Sequence, residues 1–146
     1  MLQGGEAMPW IFEITTGKLY DPQGKCVATG YSGGNMGKNP EAKDNPADEP
    51  LKNIGPLPEG LYTLELPVLD SHLGPFAIPL LPDPANQMYG RDGFFCHGDS
   101  LENPGCASEG CVIIPRNVRE AMWHSADHGL KVVAEIAAAA ANTKSF

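Results

Sequence analysis

Fourteen prolines and seventeen glycines are spread through 146 residues, and they constrain this chain more than any other feature. Proline removes an amide donor from a helix interior, and glycine loses the most backbone freedom on ordering. Long helices are therefore disfavoured over most of the sequence, and short strands joined by turns are favoured. The length argues for one domain over residues 1–146. A domain of about 150 residues buries roughly 70% of its unfolded surface, enough for one core.

Residues 10–14 alternate apolar and polar, a strand signal, and strands are predicted again over 18–20 and 26–31. Turns at Thr16-Gly17-Lys18 and Asp21-Pro22-Gln23-Gly24 join them into an N-terminal antiparallel meander. Residues 61–66 alternate again after the rigid turn Gly55-Pro56-Leu57-Pro58-Glu59-Gly60. The proline-rich residues 67–86 predict only edge strands or extended segments, because proline is barred from central ladder positions. Residues 94–97 and 111–114 read as short buried strands, and residues 130–136 as the last strand.

One helix is predicted from Pro115-Arg116-Asn117, with Asn117 as cap and Glu120 three residues on, as in a capping box. Val118, Ala121, Met122 and Ser125 give its inward face, and Gly129 is placed to end it near residues 127–128. Residues 137–141 suit a further helical turn, and residues 142–146 a frayed tail. The long polar loop 32–54 has almost no large apolar side chain and is not expected to bury a face. A loop of that length is functional or disordered, here a lid over a cleft or a mobile insertion.

The net charge is −8 and no Lys/Arg cluster exists, which argues against nucleic acid and anionic membrane surfaces as partners. No run reaches about 18 apolar residues, so no transmembrane helix is expected. Residues 1–8 lack a basic region followed by an apolar run. The chain is therefore expected to be made in the cytoplasm without a signal peptide, leaving only by another route.

The chemistry concentrates in residues 94–116. His97 closes one apolar run and Cys111 opens the next. A cysteine nucleophile needs its thiolate, and an imidazole is the usual base that makes one. Two strand ends joined by about a dozen residues suit such a pair. Gly98, Asp99 or a nearby carbonyl is placed to fix the His97 tautomer, and the N–H groups around Gly110 and Cys111 to form an oxyanion hole. Gly110 lets the chain turn sharply before Cys111, and Ser108 hydrogen-bonds into that turn. Arg91 and Arg116 are the nearest basic residues, each with a fork suited to a substrate carboxylate.

Other readings compete. Cys111 alone reads as a buried structural thiol. Cys96, His97, Cys106 and Cys111 are four possible zinc ligands, but adjacent strand residues point to opposite faces and no CxxC or HxxxH spacing occurs. His124 and His128 are four apart and suit a metal pair or a helix C-cap, while His72 sits in a loop. A disulfide is not the default without a signal peptide; if one forms, Cys96 and Cys106 are the pair. No metal and no cofactor are expected.

His97-Gly98-Asp99-Ser100, followed by Ala107-Ser108-Glu109-Gly110-Cys111, resembles the L,D-transpeptidase motif, a His-Gly-x strand end followed by Ser-x-Gly-Cys. More narrowly, the chain is similar to the small type VI secretion effectors of that superfamily. Gly30-Tyr31-Ser32-Gly33, the turn of residues 55–62 and Ala107 before the serine support the narrower match, which spans roughly residues 10–136. The resemblance implies a mainly β fold, an L,D-transpeptidase-like sandwich or barrel with one short C-terminal helix. It implies Cys111 as nucleophile, His97 as base, Ser108 and Gly110 in the supporting loop, and Gly98, Asp99, Arg116, Arg91, Tyr31 and Ser32 around the substrate. Peptidoglycan tetrapeptide stems would be the substrate, releasing D-alanine, exchanging it for a free D-amino acid, or forming a 3→3 cross-link. An effector would act in a target cell's periplasm, with a secretion component for delivery and an immunity protein against it. Housekeeping members carry Arg two residues after the cysteine, where this chain has Ile113. Another cysteine peptidase or amidase cutting a different wall bond, or a non-catalytic wall-binding domain, are the alternatives.

Overall fold

The structure is a computed structural model, which describes residues 8–136. The helical turn expected over 137–141, the tail 142–146 and residues 1–7 lie outside the described residues. Within them no helix is long and apolar enough to cross a membrane.

The first strands follow the predicted meander. β1 (Trp10–Glu13) pairs antiparallel with β2 (Lys18–Tyr20), and β2 with β3 (Cys26–Thr29). The strand expected over 26–31 is split at Gly30. β3 ends before it and β4 (Tyr31–Ser32) begins after it, on the far edge of the sheet. The sheet continues through β5 (Gly60–Leu64), β6 (Ile78–Pro82), β7 (Phe95–His97), β8 (Val112–Ile113) and β9 (Gly129–Val133). In space the order is β3-β2-β1-β9-β5-β6-β7-β8-β4. Because β3 and β4 are edge strands joined by one residue, the nine-stranded sheet is a nearly closed barrel. Gly30 is the seam: its N–H donates to the Gly17 carbonyl at 2.6 Å, and a Cβ there would stand 1.7 Å from the Ile113 carbonyl oxygen. Phe12, Ile14, Leu19, Leu57, Ile78, Val112 and Leu130 fill the interior.

Four expectations about these elements fail. Residues 78–82 form a central strand, although two prolines lie in it. Pro79 sits where the β5 ladder has just ended: the Glu65 N–H donates to the Pro79 carbonyl at 3.0 Å, and the return bond that proline cannot give is the one left out. The helix α1 (Arg116–His124) starts after Pro115 with no side-chain cap. Asn117 lies inside it, and Glu120 pairs with Arg116 at 2.8 Å, four residues back, so the capping box is absent. Its inward side carries Arg119 and Met122, whereas Ala121 is exposed, and Gly129 opens β9 rather than ending the helix.

The polar stretch 32–54 also differs from expectation. It forms three 3-10 turns, Asn35–Gly37, Pro40–Ala42 and Pro46–Asp48, and buries Ala42 and Glu49. What holds it is polar. Asp44 accepts the Ser32 N–H at 3.0 Å, and the Gly34 N–H reaches the Ile54 carbonyl at 2.8 Å.

Candidate active site

β7 and β8 run parallel with Cys96 beside Val112 and His97 beside Ile113. The chain between them, residues 98–111, is an irregular crossover held by side-chain oxygens. Tyr31 donates to Asp99 and accepts the Ala107 N–H at 2.9 Å. The Asp99 carboxylate also accepts the N–H groups of Ser100 and Gly105. Ser32 donates to the Gly110 carbonyl at 3.0 Å and accepts the Leu57 N–H at 2.8 Å. Ser108, fully buried, donates to the Cys111 carbonyl at 2.6 Å and accepts the N–H groups of Gly33 and Gly110. Tyr31, Ser32, Asp99 and Ser108 thus spend their polar atoms on the loop itself. Gly110 has φ +139°, a region favouring glycine, and a Cβ on it would meet the Arg91 guanidinium at 2.6 Å and the Phe94 ring at 2.7 Å.

Alternation along β7 and β8 directs Cys96, Val112 and Ile114 into the core, leaving His97 and Ile113 on the outer face. Cys111 precedes β8 by one residue, so its backbone is a diagonal neighbour of His97, roughly 8 Å away from strand spacing and rise. The Cys111 sulfur accepts the Phe95 N–H at 3.4 Å. Among the described residues no hydrogen bond joins it to the imidazole, and the two side chains open into different cavities. Cys111 lines one of about 110 Å³ with Arg91, Phe94 and Glu109, and His97 lines one of about 500 Å³ with Asp99 and Cys106. Catalytic hydrogen bonds are often long in free enzymes and tighten around substrate.

The His97 Nδ1 lies 2.8 Å from the Gly98 carbonyl. A carbonyl only accepts, so Nδ1 carries the proton and Nε2 presents the lone pair of a base. Burial, opposed by that bond and reinforced by the Arg119 charge, lowers the His97 pKa. Burial also pushes the Cys111 thiol up to about 11; the Phe95 N–H and Arg91 pull the other way and Glu109 adds to the rise. The resting pair is therefore a neutral thiol and a neutral imidazole, which suits proton transfer during attack rather than a standing thiolate. The Gly110 N–H, one expected oxyanion donor, is committed to Ser108; the Cys111 N–H has no partner among the described residues.

The arginines occupy unexpected places. Arg91 is buried, and its fork donates to the carbonyls of Glu49, Gly55, Pro56 and Glu109. Arg116 is exposed, paired with Glu120, and lines neither cavity. Gly98 leaves room for Arg119, whose guanidinium a Cβ would meet at 3.2 Å. Sequence reading missed Arg119, which lies beside Gly98 and donates to the Phe76, Pro75 and Ile114 carbonyls. Its signal was its place three residues before Met122, on the same helical face.

The four cysteines are free, with Cys96 in the core and Cys106 beside the larger cavity. The Cys96–Cys106 pair considered from sequence is not formed. Among the described residues no three His, Cys, Asp or Glu side chains converge as metal ligands would. His124 packs against Phe76, while His128 stacks on Trp123 and donates from Nε2 to its carbonyl at 2.7 Å, serving the helix C-terminus.

The family model of the Tlde1 domain matches residues 27–136. No curated protein matches the chain, and no solved structure does. The matched span runs from β3 through β9 and contains both His97 and Cys111. The chain belongs to the Tlde1 domain family, the type VI secretion effectors of the L,D-transpeptidase type.

Proposed function

We propose that this chain is a cysteine enzyme that cleaves peptidoglycan tetrapeptide stems through an acyl intermediate on Cys111. The observation that carries the reading is the Gly98 carbonyl holding His97 Nδ1–H, which leaves Nε2 as a base on the strand beside the cysteine. As the sulfur attacks the carbonyl of the L-centre of diaminopimelate, the thiol proton passes to Nε2. The negative charge on the carbonyl oxygen falls to the free Cys111 N–H. Collapse expels D-alanine, whose amine takes the proton from the imidazolium, leaving a thioester. Water, or the amine of a D-amino acid or second stem, then attacks the thioester while giving its proton to His97, and the sulfur leaves. Ser108, Gly110, Tyr31, Ser32 and Asp99 act by positioning. Stem peptides in a target cell's periplasm are the substrate, and an immunity protein is the expected counterpart in the producer.

Mass spectrometry of tetrapeptide muropeptides incubated with the protein, with and without a free D-amino acid, tests this. Loss of one D-alanine, and its exchange when the amino acid is present, is expected. Cys111→Ala and His97→Ala should each abolish both while circular dichroism is unchanged. Release persisting in Cys111→Ala, or a product mass from another bond, rejects the reading.

A further inference from the structure

The cavity beside His97 holds charges that the loop network does not use. Its one acidic side chain, Asp99, already accepts from the Tyr31 hydroxyl and from the N–H groups of Ser100 and Gly105. Lys38 and His72, both exposed, line the same cavity. Lys38 makes no ion pair among the described residues, and neither side chain has a hydrogen-bond partner there. Their backbones are held. The turn bearing Lys38 is docked on the catalytic loop by the Met36 N–H, which donates to the Ser108 carbonyl at 2.9 Å. His72 sits on a tight turn closed by Ser71, whose hydroxyl donates to the Gly74 carbonyl at 2.7 Å. His72 is near enough to His97 for its charge to lower the His97 pKa. In a chain of net charge −8, this wall is a local concentration of unspent donors.

We propose that Lys38 and His72 read a free carboxylate of the peptide bound beside His97, Lys38 as the charge and His72 as a second donor. This deepens the function proposed above and rests on it. It assigns carboxylate selection to the polar stretch 32–54 and the turn at residues 71–74, elements outside the Cys–His loop. Arg116 and Arg91 leave the role open, since one is paired with Glu120 and the other donates to four carbonyls.

The test uses the full chain carrying Cys111→Ala, so that binding is read without turnover. Calorimetry measures a synthetic tetrapeptide stem against three analogues, with the glutamate α-carboxylate, the D-centre carboxylate of diaminopimelate or the terminal carboxylate as amide. Amidation of one of the three should weaken binding about tenfold, the worth of one charge-assisted hydrogen bond, and so identify which carboxylate is read. Adding Lys38→Met should weaken the acid peptide to the same extent and remove the difference between acid and amide. Lys38→Arg should restore that difference, and His72→Gln should reduce it. Equal affinity for all four peptides, a difference that survives Lys38→Met, or no binding of the stem overturns the proposal. Carboxylate-dependent binding by a wild-type protein that releases no D-alanine would instead reject the enzymatic reading and leave the carboxylate site standing.

Discussion

A β-carbon at residue 110 would collide with both the Arg91 guanidinium and the Phe94 ring, at a φ that side chains rarely adopt. Gly110→Ala should therefore cost about 2 kcal/mol or more of stability, from strain plus displaced neighbours. The proposed nucleophile is the next residue, so turnover should fall further than a denaturant midpoint predicts; a variant as active and stable as wild type would show the turn to be slack. On the proposed mechanism the titration of His97 sets the pH profile. Its pKa lies below the ordinary histidine value of 6.5, because burial penalises the imidazolium. The base form persists below pH 6.5, so the acid limb of kcat/KM should lie below that value. An acid limb above pH 6.5 in muropeptide turnover would contradict a buried neutral base.

Among elements, the polar stretch 32–54 depends on a residue far from it in sequence. Arg91 gathers the carbonyls of Glu49, Gly55 and Pro56 with that of Glu109, joining the stretch and its following turn to the loop before Cys111. Arg91→Met keeps the stem of the side chain and strands those four acceptors. A loss of at least ~3 kcal/mol is expected, since bonds from a charged donor are worth about 1.5–3 kcal/mol each. That corresponds to a fall of about 10 °C in Tm for a domain of this size. Faster hydrogen exchange should appear in both residues 32–56 and 105–111; protection lost in only one would mean that Arg91 does not couple them.

At the scale of the whole molecule, stability should carry the signature of a carboxyl buried where the polar stretch meets the barrel. Glu49 is 4% exposed and its carboxyl accepts the Glu59 N–H at 2.8 Å. Burial, with the Glu59 carboxylate nearby, pushes its pKa up to about 8. Between the ordinary glutamate value and about 8 the folded protein keeps a proton that the unfolded chain has lost. The native state binds more protons there, so unfolding free energy falls as pH rises through that window. Melting temperatures from pH 5 to 8 should decline more steeply for wild type than for Glu49→Gln, and parallel curves would show Glu49 ionised in the folded state.

The β class and the short strands were legible in the sequence by itself, and so was the motif that nominates His97 and Cys111. Alternation, turn chemistry and a His-Gly / Ser-x-Gly-Cys pattern act over a few residues and survive in one dimension. Only the tertiary structure decided that Gly30 carries the chain from one sheet edge to the other, and that 78–82 is central despite Pro79. It likewise decided that Arg91 and Arg119 go inside, and that Tyr31, Ser32 and Asp99 fasten the loop. Each depends on partners distant in sequence. A buried guanidinium is stable only where several carbonyls converge, and a proline is tolerated in a sheet only where the neighbouring ladder stops. Local pattern carries neither condition; the closure of the barrel supplies both.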